Sequence, residues 1–289
     1  MLQVVLSGLA LGCIYALIAL GFTLVYKATE TVNFAQGDFM MLGAMVTVVL
    51  TVWLDFPIWA AVILAVVGMT GFGALLERLA IRPVLGQPQF TVIMLTIGLG
   101  YIMRGGVTML PTIGTRTNVV AMPYQGQVWT FGSVAISVEQ VMIVVMTLLL
   151  CGALFVLFRF TKLGIAMQAT SQNQIAAYYM GIPVKRLNAI VWGLSIGMAT
   201  IAGILLAPIT FAHANMGFIA LKAFPAAIIG GFGSLPGAVL GGLIIGLVEA
   251  LAGFYLPEGY KDVAPYVVVL IVLVVRPTGI LGERLGKKV

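Results

Sequence analysis

The 289-residue chain is 61% hydrophobic and 8% charged, with a formal net charge of +6 and a mean hydropathy of +1.14. A soluble domain carries about 25% charged residues, so this composition excludes a water-soluble fold and requires lipid as solvent. The small positive excess gathers at segment ends, where it reports membrane orientation and gives no reason to expect nucleic acid as a partner. A span needs about 20 mainly apolar residues. The pattern predicts a single transmembrane domain over 1–289, an all-α polytopic membrane protein with about eight transmembrane helices. These lie near 4–26, 37–54, 57–76, 90–110, 141–158, 187–211, 236–256 and 259–276. A shorter apolar piece, 217–232, either crosses as a short span or re-enters as a half-helix. The first run has no basic stretch before it, so it reads as a span and not as a cleaved signal.

Between the first two spans lies NFAQGDFMMLGA, 33–44. Asn33 or Asp38 can cap the next helix by accepting a backbone N–H. Alternatively Asn33, Gln36 and Asp38 mark a broken helix facing a path, with Lys27 or Arg78 as the partner Asp38 would need. Arg104, near the end of its span, is expected to snorkel to the interface. The loop 111–136, rich in Pro, Gly and Thr and holding Tyr124 and Trp129, reads as an extracytoplasmic segment at the interface.

Residues 159–187, RFTKLGIAMQATSQNQIAAYYMGIPVKRL, have basic flanks and a helical pattern from about 164 to 180. Ile165, Ala169 and Gln172 fall on one side; Ile175, Tyr178 and Tyr179 favour an apolar face; Gln168, Ser171 and Gln174 form a polar one. Gly181 ends the helix and Pro183 prevents its continuation. A helix lying on a membrane surface usually carries Lys or Arg on its polar face. None occurs here between Lys162 and Lys185, so this helix suits a protein docking surface.

Residues 227–242, AIIGGFGSLPGAVLGG, put helix breakers inside an uncharged run. Non-helical backbone at membrane depth must be buried in protein or line a wet cavity. Gly230, Gly231, Gly233 and Ser234 therefore mark a break between half-helices within 217–256, or a site of close helix packing. Glu249 is a further intramembrane acid. Three basic clusters, Arg78 with Arg82, then Arg159, Lys162, Lys185 and Arg186, then Arg276, Arg284, Lys287 and Lys288, favour one cytoplasmic face. An even number of crossings between the last two requires 217–232 to cross, or to pair with the next segment as a hairpin. Three spans before Arg78 put the N-terminus outside.

GxxxxGK[ST], GxSxG and HExxH are absent, which removes a phosphate-cradling loop and the common hydrolase signatures. The chain holds one histidine, His213, and two cysteines, Cys13 and Cys151, within apolar runs. No spacing suggests a metal site or a disulfide.

The stretch AAYYMGI resembles the coupling loop of ABC importer permeases, whose pattern is EAA, three residues, then Gly. Ala176, Ala177 and Gly181 match, while Ile175 stands where an acid often does. Four stretches in order resemble the LivH-type permeases of branched-chain amino acid ABC transporters. They are GFTLVYKATETVNFAQGDFMMLGA (21–44), TKLGIAMQATSQNQIAAYYMGI (161–182), AIIGGFGSLPGAVLGGLIIGLVE (227–249) and VRPTGILG (275–282). The resemblance implies a multi-pass protein of the bacterial inner membrane. Its expected partners are a second homologous permease, two cytoplasmic ATPase subunits that hold the ATP and Mg, and an extracytoplasmic substrate-binding protein. This chain is then no enzyme and binds no cofactor of its own. The loop 159–186 becomes the ATPase-coupling segment, with Gly164, Met167, Gln168, Ser171, Gln172, Ile175, Ala176, Ala177 and Gly181 as its contact residues. Asn33, Gln36, Asp38, Gly230, Gly231, Gly233, Ser234 and Glu249 become candidates for the path.

Three rivals stand beside this reading. Related permeases carry urea, short amides or other amino acids. A stand-alone secondary transporter should show paired intramembrane charges and discontinuous segments in corresponding positions of two halves. A membrane-embedded enzyme needs His, Asp or Glu clustered at one depth, whereas the nine acids here are scattered.

Overall fold

A computed structural model of the chain describes residues 1–131 and 134–282. Helices α1 (Leu2–Thr29), α2 (Gln36–Val52), α3 (Ile58–Leu76) and α4 (Gln89–Thr108) form a first half. A hairpin of β1 (Val128–Phe131) and β2 (Val134–Ser137) leads into α5 (Val138–Phe160). Two short helices follow, α6 (Lys162–Gln172) and α7 (Gln174–Tyr179). The second half comprises α8 (Val184–Thr210), a 3-10 stretch (Met216–Lys222) running into α9 (Ala223–Gly230), α10 (Leu235–Tyr255) and α11 (Tyr260–Val275). Six helices are long and apolar enough to span a membrane: α1, α3 with its extension to Val84, α4, α5, α8 and α10. The extension of α3 is a π-helical stretch, Glu77–Ile81, where Arg82 pairs with the buried Glu77 at 2.7 Å.

The centre is built from α1 and α8, the two most buried spans. Lipid tails are as apolar as leucine, so close backbone contact holds such helices together. α1 lies antiparallel to α10, with Gly8 against Ala250 and Gly246, and Gly12 against Leu243. A methyl group added at Gly242 or Gly246 would overlap the α1 backbone. α8 lies antiparallel to α3 in the same way, with Gly193 and Gly197 on Thr70. The two halves thus exchange partners: α1 packs on α10 and α8 on α3, while α2 packs on α8 and α9 on α1.

The halves also run in opposite directions. At the basic end, Lys27 donates to Gly233 O (3.3 Å), Arg82 to Lys185 O (2.9 Å) and Gln174 to Ala28 O (2.7 Å). α1 ends there and α8 begins there. At the opposite end, Asn118 and Ala212 form a backbone bridge that ties loop 111–136 to the end of α8. In each half the first helix breaks, over 30–35 or 211–215, and a shorter helical leg resumes. Inverted halves with discontinuous helices recur among membrane transporters.

The fate of 217–232 follows from these anchors. It starts five residues after Ala212 and finishes beside Gly233, at the basic end. Seven 3-10 residues and eight α residues rise about 26 Å together. The leg therefore runs toward the basic end from beside Gly37 and Asp38, which Gly217 touches. Arg284, Lys287 and Lys288 of the third basic cluster lie outside the described residues.

The glycine break proves to be a packed joint. Gly231 and Gly233 have φ of 96° and 98°, a left-handed conformation that only glycine adopts freely. The last carbonyls of α9 lack helical partners, and the VRPTGILG segment supplies them. Ile280 N–H donates to Ile229 O (2.7 Å) and Leu281 N–H to Gly230 O (3.1 Å). Ser234 then caps α10 by accepting from Gly237 N–H at 3.2 Å.

Candidate functional site

The polar residues expected to share a path occupy separate places. At the first break, Asn33 and Gln36 are fully buried. Gln36 Nε2 donates to Ser195 O (3.2 Å), Ser195 Oγ donates to Gly21 O (2.9 Å), and Asn33 Nδ2 donates to Gln36 Oε1 (3.1 Å). Asn33 Oδ1 accepts from Ala35 N–H at 3.1 Å. This network bonds one backbone N–H of the break, that of Ala35, and ties α1, α2 and α8 together. Gly21 is required because a Cβ there would overlap the Gln36 amide.

Asp38 sits one half-turn further along α2 and does not cap it. Its partner is Arg104 on α4, at 2.6 Å, and neither Lys27 nor Arg78. Arg104 therefore does not snorkel: a buried carboxylate is within reach, and pairing is worth more there than partial exposure at the interface. Its guanidinium also lies 4.1 Å from the Phe218 ring centroid and 5.6 Å from that of Tyr101, within the range of cation–π attraction. The side chains of Arg104 and Asp38 are 19% and 10% exposed. They open on a cavity of about 240 Å³ walled by Phe22, Phe34, Ile97, Tyr101, Phe218 and Leu221. Gly100 and Gly217 make room for the carboxylate, since a Cβ at either would press on it.

A second ion-pair centre stands on the other half. Lys222 contacts Glu249 (2.5 Å) and Asp262 (2.6 Å), and Tyr15 donates to the second oxygen of Glu249 at 2.5 Å. Lys222 thus joins the short leg to α11 as Asp38 joins α2 to α4, with the signs exchanged. Glu249 lies roughly 22 Å along α10 from Ser234, so it belongs to this centre and not to the glycine break. The sequence reading missed Lys222. Its signal was a lone lysine dividing two uncharged runs, with Glu249 as the acid that balances it.

At the basic end the expected single helix 164–180 is two helices. Asn173 breaks it, with φ −158° and ψ 104°, and caps α7 by accepting from Ile175 and Ala176 N–H (3.0 and 2.9 Å). Asparagine competes with helical bonding in this way and favours caps. Gly181, at φ 81°, closes α7: its N–H bonds Tyr178 O and Ile182 N–H bonds Ala177 O, both at 3.0 Å. This is a Schellman cap. Gly164, Met167 and Ala177 face inward, whereas Gln168, Gln172, Ile175 and Ala176 face out and Ser171 is half-buried. Tyr178, Tyr179 and Met180 extend the outer face, with Tyr179 and Met180 more than 80% exposed. Together these side chains form an exposed apolar patch. Gln168, Gly233 and Ser234 line a larger cavity of about 880 Å³ at the flank of α1, α5 and α10, with Lys27 and Arg159 at its rim. Among the described residues no group of three or more His, Cys, Asp or Glu could hold a metal.

The chain is 35% identical to the high-affinity branched-chain amino acid transport system permease protein LivH of Escherichia coli K12. That match covers 100% of this chain and 97% of the relative. It is 32% identical to the corresponding BraD protein of Pseudomonas aeruginosa, over 100% and 98% of the two chains. PsaBC of Streptococcus pneumoniae, solved in complex with Fab, matches with a TM-score of 0.50 and 15% identity over 94% of this chain and 91% of that one, a likeness of fold alone. The family model for the branched-chain amino acid transport system / permease component matches residues 4–273. The chain belongs to that permease family.

Proposed function

We propose that this chain is the membrane-spanning permease subunit of an ATP-driven importer of branched-chain amino acids. The observation that carries the reading is family membership over nearly the whole chain, with full-length identity to permeases named for that transport. The chain is a multi-pass protein of the inner membrane, with its basic end in the cytoplasm by charge bias and its N-terminus outside. ATP and Mg belong to partner ATPase subunits. A second permease subunit completes the path, and an extracytoplasmic binding protein delivers the substrate.

The outer face of α6 and α7 is the docking surface for an ATPase subunit. Its exposed Ile175, Tyr178, Tyr179 and Met180 offer apolar contact, and Gln168, Gln172 and Ala176 flank them. Movement of this helix pair has a direct route into the bundle. Gln174 holds the last turn of α1 through Ala28 O, and Gly164 packs on the end of α5, where a Cβ would overlap Phe158. α1 leads to the break at 30–35, and the break leads to Asp38. ATPase closure can thus shift α2 against α4, which is where Asp38 and Arg104 meet.

Paired charges and matched helix breaks were the features expected of a stand-alone transporter, and both occur here. They serve either mechanism, so the deciding features are the exposed helix pair and the family. Affinity purification of the tagged chain in mild detergent, followed by mass spectrometry, tests the reading. Recovery of ATPase subunits and a second permease is the expected result. A chain that purifies alone under several gentle conditions would refute it.

A further inference from the structure

The cavity between α2, α4 and the 3-10 stretch combines opposite charges with aromatic walls. Arg104 bonds Asp38 Oδ1 through one terminal nitrogen, and its Nε is buried with no partner. A buried donor is costly unless an acceptor meets it, and the cavity beside Nε gives room for one, water or ligand. Asp38 accepts through Oδ1 alone among the described residues. The Arg104–Asp38 pair is charge-balanced, and a ligand that enters must keep it so, because an uncompensated charge at low dielectric is strongly unfavourable.

We propose that this cavity is a transit site for an α-amino acid, gripping the carboxylate through Arg104 and the ammonium through Asp38. Charge-assisted bonds are the strong ones, and a zwitterion adds one partner to each member of the pair without adding net charge. Phe22, Phe34, Phe218 and Leu221 form the wall against which an apolar side chain rests. A volume of about 240 Å³ lies below the range of drug-sized pockets and suits a molecule of amino-acid size. A cationic or anionic amino acid would leave one charge unmatched, and a neutral sugar or amide would offer only uncharged partners, whose bonds are weaker. The site is weak by construction, because the ligand competes with an ion pair already formed at 2.6 Å. Weak holding is what a transit site requires, since a tightly held substrate would not leave.

The proposal rests on the importer reading for the identity of the substrate. The test uses the complete importer with its binding protein in proteoliposomes, and a diazirine analogue of leucine as photoprobe. Illumination during turnover, followed by peptide mapping, should label the segments 97–104 and 217–221, and excess leucine should suppress the label. Arg104→Gln should lower the label by about tenfold per assembled complex, the loss of one charge-assisted contact. Phe218→Trp, which fills the cavity and leaves the ion pair in place, should lower it similarly. Leucine uptake in the wild type with neither segment labelled, or with label that leucine does not suppress, overturns the site and leaves the importer standing. Absence of leucine uptake overturns the importer reading, and the amino-acid assignment of the cavity falls with it.

Discussion

Among the described residues Lys222 is the one cation paired with two carboxylates, and replacing it tests the second ion-pair centre. Lys222→Met keeps the length and apolar stem of the side chain and removes the charge. Asp262 is half-exposed, so water compensates it and its share is small. Glu249 is about nine-tenths buried and is left with the Tyr15 hydroxyl alone. Stranding a buried charge costs about 3–5 kcal/mol. The retained Tyr15 bond offsets part of this, since a hydrogen bond to a charged group contributes about 1.5–3 kcal/mol. The expected loss is therefore roughly 2 kcal/mol. Lys222→Met with Glu249→Gln removes both charges and should recover to within about 1 kcal/mol of the wild type. With the Glu249→Gln single completing the cycle, a coupling well above the roughly 0.6 kcal/mol typical of hydrogen bonds between membrane helices distinguishes an ion pair from an ordinary polar contact. The assay is reversible unfolding in mixed micelles, followed by tryptophan fluorescence on the four variants of the cycle. A Lys222→Met protein as stable as the wild type, or a double variant no better than the single one, would refute the reasoning.

Gly246→Leu should cost about 1–3 kcal/mol through overpacking, because its Cβ would overlap the backbone of Gly12. Gly71→Leu, where open space surrounds the added atom, should be tolerated; equal loss in both, read as folded yield in detergent, would sink the seam. Gly181→Val forces a β-branched residue into a left-handed cap at φ 81°, a cost of about 1–2 kcal/mol, and should abolish uptake while the protein still inserts. Normal uptake would remove α7 from the coupling path. Asn173→Ala should destabilise the α7 cap by about 1 kcal/mol and reduce ATPase recovery in pull-downs. Unchanged recovery would show that docking does not need the helix break.

Much of this protein follows from local chemistry that any single segment carries. Apolar length gave the spans near 4–26, 141–158 and 187–211 to within a few residues. Gly181 announced a helix end because its left-handed turn is a property of glycine itself, and the helix-breaking stretch at 230–237 was visible for the same reason. Asn173 could have been read as a cap and was not, because the surrounding pattern is helical on both sides and gave no reason to stop. The pairings could not be read locally at all. Asp38 had Lys27 nearby in sequence, yet α1 carries Lys27 to the basic end and α4 brings Arg104 from 66 positions away. Glu249 finds Tyr15 across 234 positions for the same reason, the antiparallel seam of α1 and α10. Composition therefore determined the solvent, the helices and their ends. Which buried charges meet, and which polar groups face a cavity, was decided by the glycine-lined crossing of helices. Charge energy in a low-dielectric interior depends on distance in space, and that distance exists only once the helices have packed.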